Sequence, residues 1–572
     1  MYPFLHQFAL FLHSNGIQRE KVTHVKLHQS ESRHCTILSQ STEKVAFKEI
    51  TSLQQDLHME SKPATKPTDD PLLPLDDKSY IFDIYGKTDS SLTSYINSIC
   101  TTQETVSTPK SETKQREIRK IVDNGDQSNR IDVVFMGDGY TSEEKDQFFD
   151  DIDRLTQDMF NDVTFRSYLP VFNIWAIFEP SVESGIGYNG AKNTPFRLYR
   201  AAGQLRGIYT GNAAYARQIC ALTGASGCDY PSLIGNDDFY GGLGGEFVIS
   251  TKSERTGTVV LRHEMGHNFV NVGEEYDGGS VYRGVNSASS LATVGWSHWV
   301  TDELREENSI IRIQDYRWED LSVEDQYFNF TSDGTYNRWY LHVSVSAAGE
   351  ADCLEFTLDG EILPWTSSGY DDREFYDWYG FEGLSAGPHS VMVRSKTDPT
   401  HPFIPRMICA VRLHEFGTES EFEMDNAHVS AYPTWDNQGR LTYRPTNAGC
   451  LMRNMTHRNF CEVCQEGMWH QFFMRIGIID NLTIAEEMDP TMTRKVTVHT
   501  LGLGQLRDPE DVVDGEHLEI RWFYENMEYS GLRDQFTIDA RVGNWRVDVK
   551  LITPEVRSDP EGLLEDSQTF IV

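Results

Sequence analysis

Apolar residues in this chain gather in short blocks separated by turn residues, and the spacing inside each block predicts an element. Residues 131–136 (IDVVFM) are nearly all apolar, the pattern of a strand buried on both faces. Gly137-Asp138-Gly139-Tyr140 closes it in a turn. Thr141-Ser142-Glu143-Glu144 then resembles a capping box opening a helix that runs to Phe160. Residues 172–178 (FNIWAIF) read as a second buried strand, completing a βαβ unit. Residues 246–250 read as a third strand. After it, Thr256-Gly257-Thr258 can start a helix buried through Val259, Val260, Phe269 and Val270.

From about 310 to 420 the period changes to two. Residues 339–345, 354–358 and 390–394 alternate, with turns at Asp359-Gly360 and Ala386-Gly387-Pro388, the pattern of a jelly-roll type β-sandwich. Residues 518–522 and 545–552 alternate too and predict a second, Ig-like sandwich. Residues 1 to about 78 are polar and mixed, 61–71 and 101–116 read as linkers, and 80–85 is a short apolar strand. The fold class is therefore α+β and multidomain. The expected units are an N-terminal region at 1–120 that could act as a pro-segment, an α/β catalytic domain at 121–310 and 421–490, a β-sandwich inserted at 311–420, and a C-terminal β-sandwich at 491–572.

A chain of 572 residues is too long for one core, consistent with this division. Its net charge of -36 comes without a Lys/Arg run, which sets nucleic-acid binding aside. Acidity suits an extracellular enzyme and would suit calcium-holding loops, without establishing either. No apolar run reaches membrane-spanning length. The piece Phe8-Ala9-Leu10-Phe11-Leu12 lacks the flanks of a signal peptide, although secretion is the expected destination. N-x-S/T sites at Asn329, Asn454 and Asn481 do not decide the compartment. Nine Cys leave at least one unpaired. Cys220 and Cys228 could bridge a loop. Cys461-Glu462-Val463-Cys464 lacks a second pair at zinc-ribbon spacing, so disulfides are expected for the late cluster with Cys450 if the protein is secreted.

The sharpest chemical signal is His263-Glu264-Met265-Gly266-His267. Two His four apart share one helix face and can reach one metal ion, and the Glu beside the first can take a proton from a water held there. Catalytic zinc needs a third ligand. Glu274 and Glu275 follow Gly273, where the chain can turn back. Glu303, Glu306 and Glu307 are the candidates if the ligand comes from a later helix, as in thermolysin-like enzymes. Tyr240-Gly241-Gly242-Leu243-Gly244-Gly245 lacks a phosphate-loop pattern. It reads either as a tight turn or as backbone that approaches a substrate strand, through Gly241 and Gly242.

The motif with its Glu274-Glu275-Tyr276 step resembles the IgA peptidase family of zinc metallopeptidases. Val134–Tyr140, Phe172-Asn173-Ile174-Trp175, Ser181–Gly185, Tyr240-Gly241-Gly242, Cys450-Leu451-Met452-Arg453 and Phe460–Cys464 resemble further signatures of that family, over about 130–285 and 425–475. The resemblance implies a metzincin-like catalytic domain and one catalytic zinc on His263, His267 and Glu274. Many relatives carry Asp at that third position, so Glu275 stays an alternative. Met452 would be the Met-turn residue beneath the zinc. Tyr443, shortly before it, could stabilise an oxyanion. The function expected is a zinc-dependent endopeptidase with Glu264 as general base, acting on protein or peptide. The alternative is a catalytically silent protein that keeps the fold and binds protein or glycan. The aromatic-rich tip of the inserted sandwich (Trp365, Tyr370, Phe375, Tyr376, Trp378, Tyr379) is the candidate glycan contact, or else packs that sandwich's core.

Overall fold

Strand Ile131–Asp138 is buried along its whole length because it lies in the middle of a five-stranded sheet. It runs parallel to Phe172–Phe178 on one side and to Tyr230–Gly235 on the other. Val248–Thr251 extends the parallel run at one edge, and Glu117–Val122 closes the other edge antiparallel. Alternation divides the central strand between two cores. Ile131, Val133 and Phe135 pack with Phe148 and Ile152 of the helix Lys145–Thr156 and with Leu261, Met265 and Phe269 of the motif helix. Val134 and Met136 face Ala216 and Ile219 of the helix Ala213–Cys220. The structure is a computed structural model that describes residues 20–30, 32–45, 57–63, 80–105, 116–161, 163–224, 226–279, 282–486 and 492–572.

The strand Tyr230–Gly235 was not foreseen. Its sequence YPSLIG is diluted by Pro, Ser and Gly. Pro231 is tolerated because pairing to Val248–Thr251 begins only at Ser232, so the proline faces a ladder on one side only.

Residues 309–416 form two antiparallel sheets. One has the order Ser309–Asp315, Met407–Phe416, Arg338–Ser346, Arg373–Gly380. The other has the order Gln326–Ser332, Gly387–Ser395, Leu354–Leu358, Glu361–Ile362. Leu341, Val343, Val345, Phe356, Tyr376, Trp378, Val391, Val411 and Leu413 fill the space between them. Of the six tip aromatics, Trp365, Tyr376 and Trp378 belong to or pack against this core, Phe375 and Tyr379 line a cleft, and Tyr370 is exposed. The opposite face of the first sheet carries Tyr340, His342, Phe375, Asp377, Tyr379, Ala410 and Arg412, and these side chains line a cleft shared with the motif helix.

The C-terminal residues form a three-stranded and a four-stranded sheet. Their apolar residues Val496, Leu518, Trp522 and Val547 share one core with Phe472 and Trp469 of the helix Glu462–Arg475. Salt bridge Arg130–Asp480 (2.6 Å) and the hydrogen bond from Trp469 Nε1 to Glu555 (2.7 Å) pin the contact.

The N-terminal region, expected as polar and mixed with linkers at 61–71 and 101–116, contains more strand than its pattern suggested. Glu20–Gln29, His34–Val45, Leu57–Pro63, Tyr80–Gly86 and Thr102–Thr105 make a five-stranded sheet, and Asp89–Ile99 is a helix. Residues 61–63 and 102–105, read as linker, are strand. Polar alternation hid these strands, because the apolar residues are few: Val25, Leu27, Ile84, Leu92 and Ile96 make a small core on one face and Val22 packs with Tyr85 on the other. Residues 64–71 and 106–115, and the apolar piece at 8–12, lie outside the described residues. Cys35 and Cys100 are bonded to each other and offer no thiolate to a metal; Cys220 is bonded to Cys228. The late cysteines depart from the disulfide expectation: Cys450, Cys461 and Cys464 are free and buried.

Candidate metal centre and cleft

The helix Gly257–Phe269 follows the edge strand Val248–Thr251 and is buried on almost every side. Only His267, Glu264 and Val259 along its middle turns keep some exposure. The ring centroids of His263 and His267 lie 5.1 Å apart. Each His turns Nδ1 to a backbone carbonyl: His267 donates to Val272 O at 3.1 Å, and His263 reaches Leu451 O at 3.4 Å. That orients both Nε2 atoms the same way. They meet the Glu274 carboxylate, at 3.1 Å from His267 and 3.3 Å from His263. The three ligand atoms lie within 4.8 Å of one another. Two imidazoles and one carboxylate form the His₂Glu donor set suited to zinc. Glu274 Oε2 is buried without a hydrogen-bond partner, an acceptor that fits a cation.

The electrostatics agree. Burial opposes charge on His267, yet the Glu274 carboxylate outweighs it and pushes the imidazole up to about 9. Burial would raise Glu274, but the charges of His267 and His263 hold it well below the usual carboxylate range. In the metal-free protein a proton on His267 supplies the positive charge that Glu274 demands.

The glycine inside the motif has a packing reason. A Cβ on Gly266 would lie 2.6 Å from the Phe460 ring and 3.4 Å from Met452 Sδ. Met452 is fully buried beneath the helix, and its carbonyl accepts from Glu275 N at 3.1 Å. The turn carrying Glu274 is thereby tied to the segment carrying Met452.

Glu264 faces a cleft of 1210 Å³ that also holds His263, His267 and Glu274. The Gly-rich loop forms one lip. Leu243 pairs with Ile249 in both directions (3.0 and 2.9 Å), so the loop closes on its own edge strand. Gly242 sits where a Cβ would be 2.6 Å from Ile249 O, and a Cβ on Gly244 would come under 3.0 Å from Glu264 Oε2. Gly242 and Gly244 line the cleft; Gly241 faces Arg200 and Ile208 instead. The outer face of the 309–416 sandwich makes the opposite wall. Arg206, Arg317, Arg373, Arg412 and Arg453 project into the cleft. Arg412 is buried, and its Nε and Nη1 have no hydrogen-bond partner.

Several candidates are not brought to this site. Glu275 turns away from the cleft into the core beside Cys450, Cys461 and Cys464. Adjacent residues of a non-helical segment point to opposite sides, so one glutamate reaches the imidazoles and the other cannot. Glu307 is buried against Arg305 and His428, Glu303 is exposed, and Glu306 accepts from the Tyr443 hydroxyl. Tyr443 is not among the residues that line the cleft. Tyr276 and Tyr240 line the cleft instead. The Tyr276 ring lies 6.4 Å from that of His263, and burial raises the pKa of both tyrosines, so each keeps its proton to donate. Tyr276 lay in plain view two residues after Glu274. Tyr240 stood in the segment Tyr240-Gly241-Gly242 already singled out in the sequence, whereas nothing there tied Arg412 to the helix, because the cleft joins residues far apart in the chain.

A pair of helix-borne histidines and a nearby carboxylate, facing a long cleft beside a glutamate, are the parts of a hydrolase. Residues 119–326 match the family model described as IgA Peptidase M64. No curated protein matches the chain. Among solved structures, a family 35 carbohydrate binding module from Clostridium thermocellum is 12% identical, over 19% of this chain and 89% of that one, with a TM-score of 0.13. A GH2 beta-galacturonidase from Eisenbergiella tayi bound to galacturonate is 9% identical, over 40% of this chain and 33% of that one, with a TM-score of 0.12. Neither fold nor ligand carries over at such scores.

Proposed function

We propose that the chain is a zinc-dependent endopeptidase of metzincin-like type. The reading rests on one observation: His263, His267 and Glu274 converge within 4.8 Å in the cleft that Glu264 faces. Zinc bound by these three would polarise a scissile carbonyl and acidify a water. Glu264 takes the water's proton and returns it to the leaving amine. Tyr276 and Tyr240 donate to the developing oxyanion. Met452 and Phe460 hold the helix at Gly266 so that the imidazoles keep their direction. The lip at Gly242–Gly245 and the sandwich wall bound a cleft of 1210 Å³, in which the peptide would lie. The disulfides Cys35–Cys100 and Cys220–Cys228 favour an oxidising, extracellular setting.

The test is metal dependence with a proton-transfer control. Chelation abolishes peptide hydrolysis by the wild type and zinc restores it. Glu264→Gln binds zinc as the wild type does and hydrolyses nothing. Hydrolysis that survives complete removal of metal refutes the reading.

A further inference from the structure

A second cluster of metal-ligating atoms lies in the core behind the Glu274 turn. It comprises Sγ of Cys450, Cys461 and Cys464 and one carboxylate oxygen of Glu275, all within 4.8 Å of one another and all buried. Cys464 Sγ is 3.9 Å from Cys450 Sγ, 3.6 Å from Cys461 Sγ and 3.9 Å from Glu275 Oε1. Four ligands around zinc, with Zn–S of about 2.3 Å, set sulfurs about 3.8 Å apart along a tetrahedral edge. The observed spacing brackets that edge.

Ordinary packing does not account for the group. Three thiols cannot all be consumed by disulfides among themselves, and none of them is bonded. Burial pushes the Glu275 carboxyl up to about 8, against the lowering charge of Arg444, so its charged form in this thiol pocket calls for a closer positive partner. Glu275 is fully buried, and its Oε2 has no hydrogen-bond partner. Its Oε1 accepts from Asn286 Nδ2 at 2.8 Å, and the same amide exchanges hydrogen bonds with both backbone groups of Gly273. The carboxylate is thus aimed from outside the cluster, as carboxylate ligands commonly are. Cys461 occupies the N-cap of the helix Glu462–Arg475, and Cys464 lies in its first turn. The helix N-terminus favours thiolate there. The buried guanidinium of Arg444 spends its donors on Pro433 O, Thr434 Oγ1 and Asn447 O. A negatively charged metal–thiolate group nearby would balance it.

We propose that Cys450, Cys461, Cys464 and Glu275 form a second, structural zinc site. With four protein ligands no position is left for water, the mark of a structural rather than a hydrolytic centre. Binding expels the thiol protons to solvent as the three Sγ–metal bonds form, with no change of oxidation state. The site ties three segments together: the turn with Glu274, the segment with Met452, and the helix whose Phe472 packs under the motif helix. It does not depend on the peptidase reading, because no cysteine belongs to the first centre.

The test is metal content and cobalt spectroscopy of the full-length protein. Fully loaded wild type is expected to hold about two divalent ions per chain, given closed four-ligand and open three-ligand sites. Cobalt in place of zinc is expected to give sulfur-to-cobalt charge-transfer absorption in the near ultraviolet. His263→Ala/His267→Ala is expected to lose one ion and keep that absorption. Cys461→Ser is expected to lose the absorption. If the serine variant fails to fold, the wild-type spectrum still decides. Loaded wild type without thiolate absorption overturns the proposal. So does mass spectrometry that finds any two of Cys450, Cys461 and Cys464 joined as a disulfide.

Discussion

Gly244→Ala separates catalytic geometry from folding. The position is partly exposed, its backbone lies outside the left-handed region, and the nearest obstacle to a new Cβ is the end of the Glu264 side chain, under 3.0 Å away. Ordinary contact lies at about 3.5–4.0 Å, so the carboxylate must give way by roughly 1 Å. A displacement of that size at a reacting group costs on the order of 10²-fold in rate, or about 2.7 kcal/mol in the barrier. The side chain is flexible, so the fold is spared. The expected result on a peptide cut by the wild type is a fall in kcat of roughly that size, with thermal midpoint and zinc content unchanged. Gly242→Ala is the control, because its Cβ meets the Ile249 carbonyl at 2.6 Å, backbone that cannot step aside. It is expected to lower the thermal midpoint. Wild-type kcat in Gly244→Ala would refute the placement of Glu264 under this loop. Loss of zinc in that variant would refute the claim that only the base moves.

In the metal-free protein the His267 imidazole is expected to titrate near 9 by NMR. Glu274→Gln removes the largest raising charge, while Glu264 and the Val272 carbonyl remain, so the midpoint should fall. The sign sets the stability too: a His raised in the fold stabilises it fully below about 6.5, and that contribution fades as pH rises through about 9. Gly266→Ala forces a methyl against the Phe460 ring, and overpacking of this kind costs about 1–3 kcal/mol; calorimetry should show the loss together with weaker zinc binding. Arg412→Ala should raise KM for peptides with acidic side chains more than for neutral ones, and equal effects on both would show that this guanidinium does not read charge.

The parts legible in the sequence were those written locally. The run at 131–136 announced a central strand, and the spacing of His263, Glu264 and His267 announced their shared helix face. Alternation at 339–345, 354–358 and 390–394 announced three strands of the sandwich. What stayed hidden was set by distant neighbours. Tyr230–Gly235 is strand because two strands flank it, in spite of Pro231. Tyr443 donates to Glu306 of another segment and does not line the cleft. Glu274 and Glu275 are chemically equivalent in the sequence; only the direction of the turn after Val272 decides which one meets the imidazoles. The even polar alternation of 20–45 gave no sign of a sheet, since its small core comes partly from residues 81–96.

The central claim is peptide hydrolysis that depends on Glu264. The most direct measurement is mass spectrometry of a diverse peptide library incubated with zinc-loaded wild type and, in parallel, with Glu264→Gln. Cuts made by the wild type and absent from the variant are the predicted result, and their flanking residues would give the specificity of the cleft. Equal cutting by both proteins, or no cutting by a wild type that holds its zinc, would contradict the account.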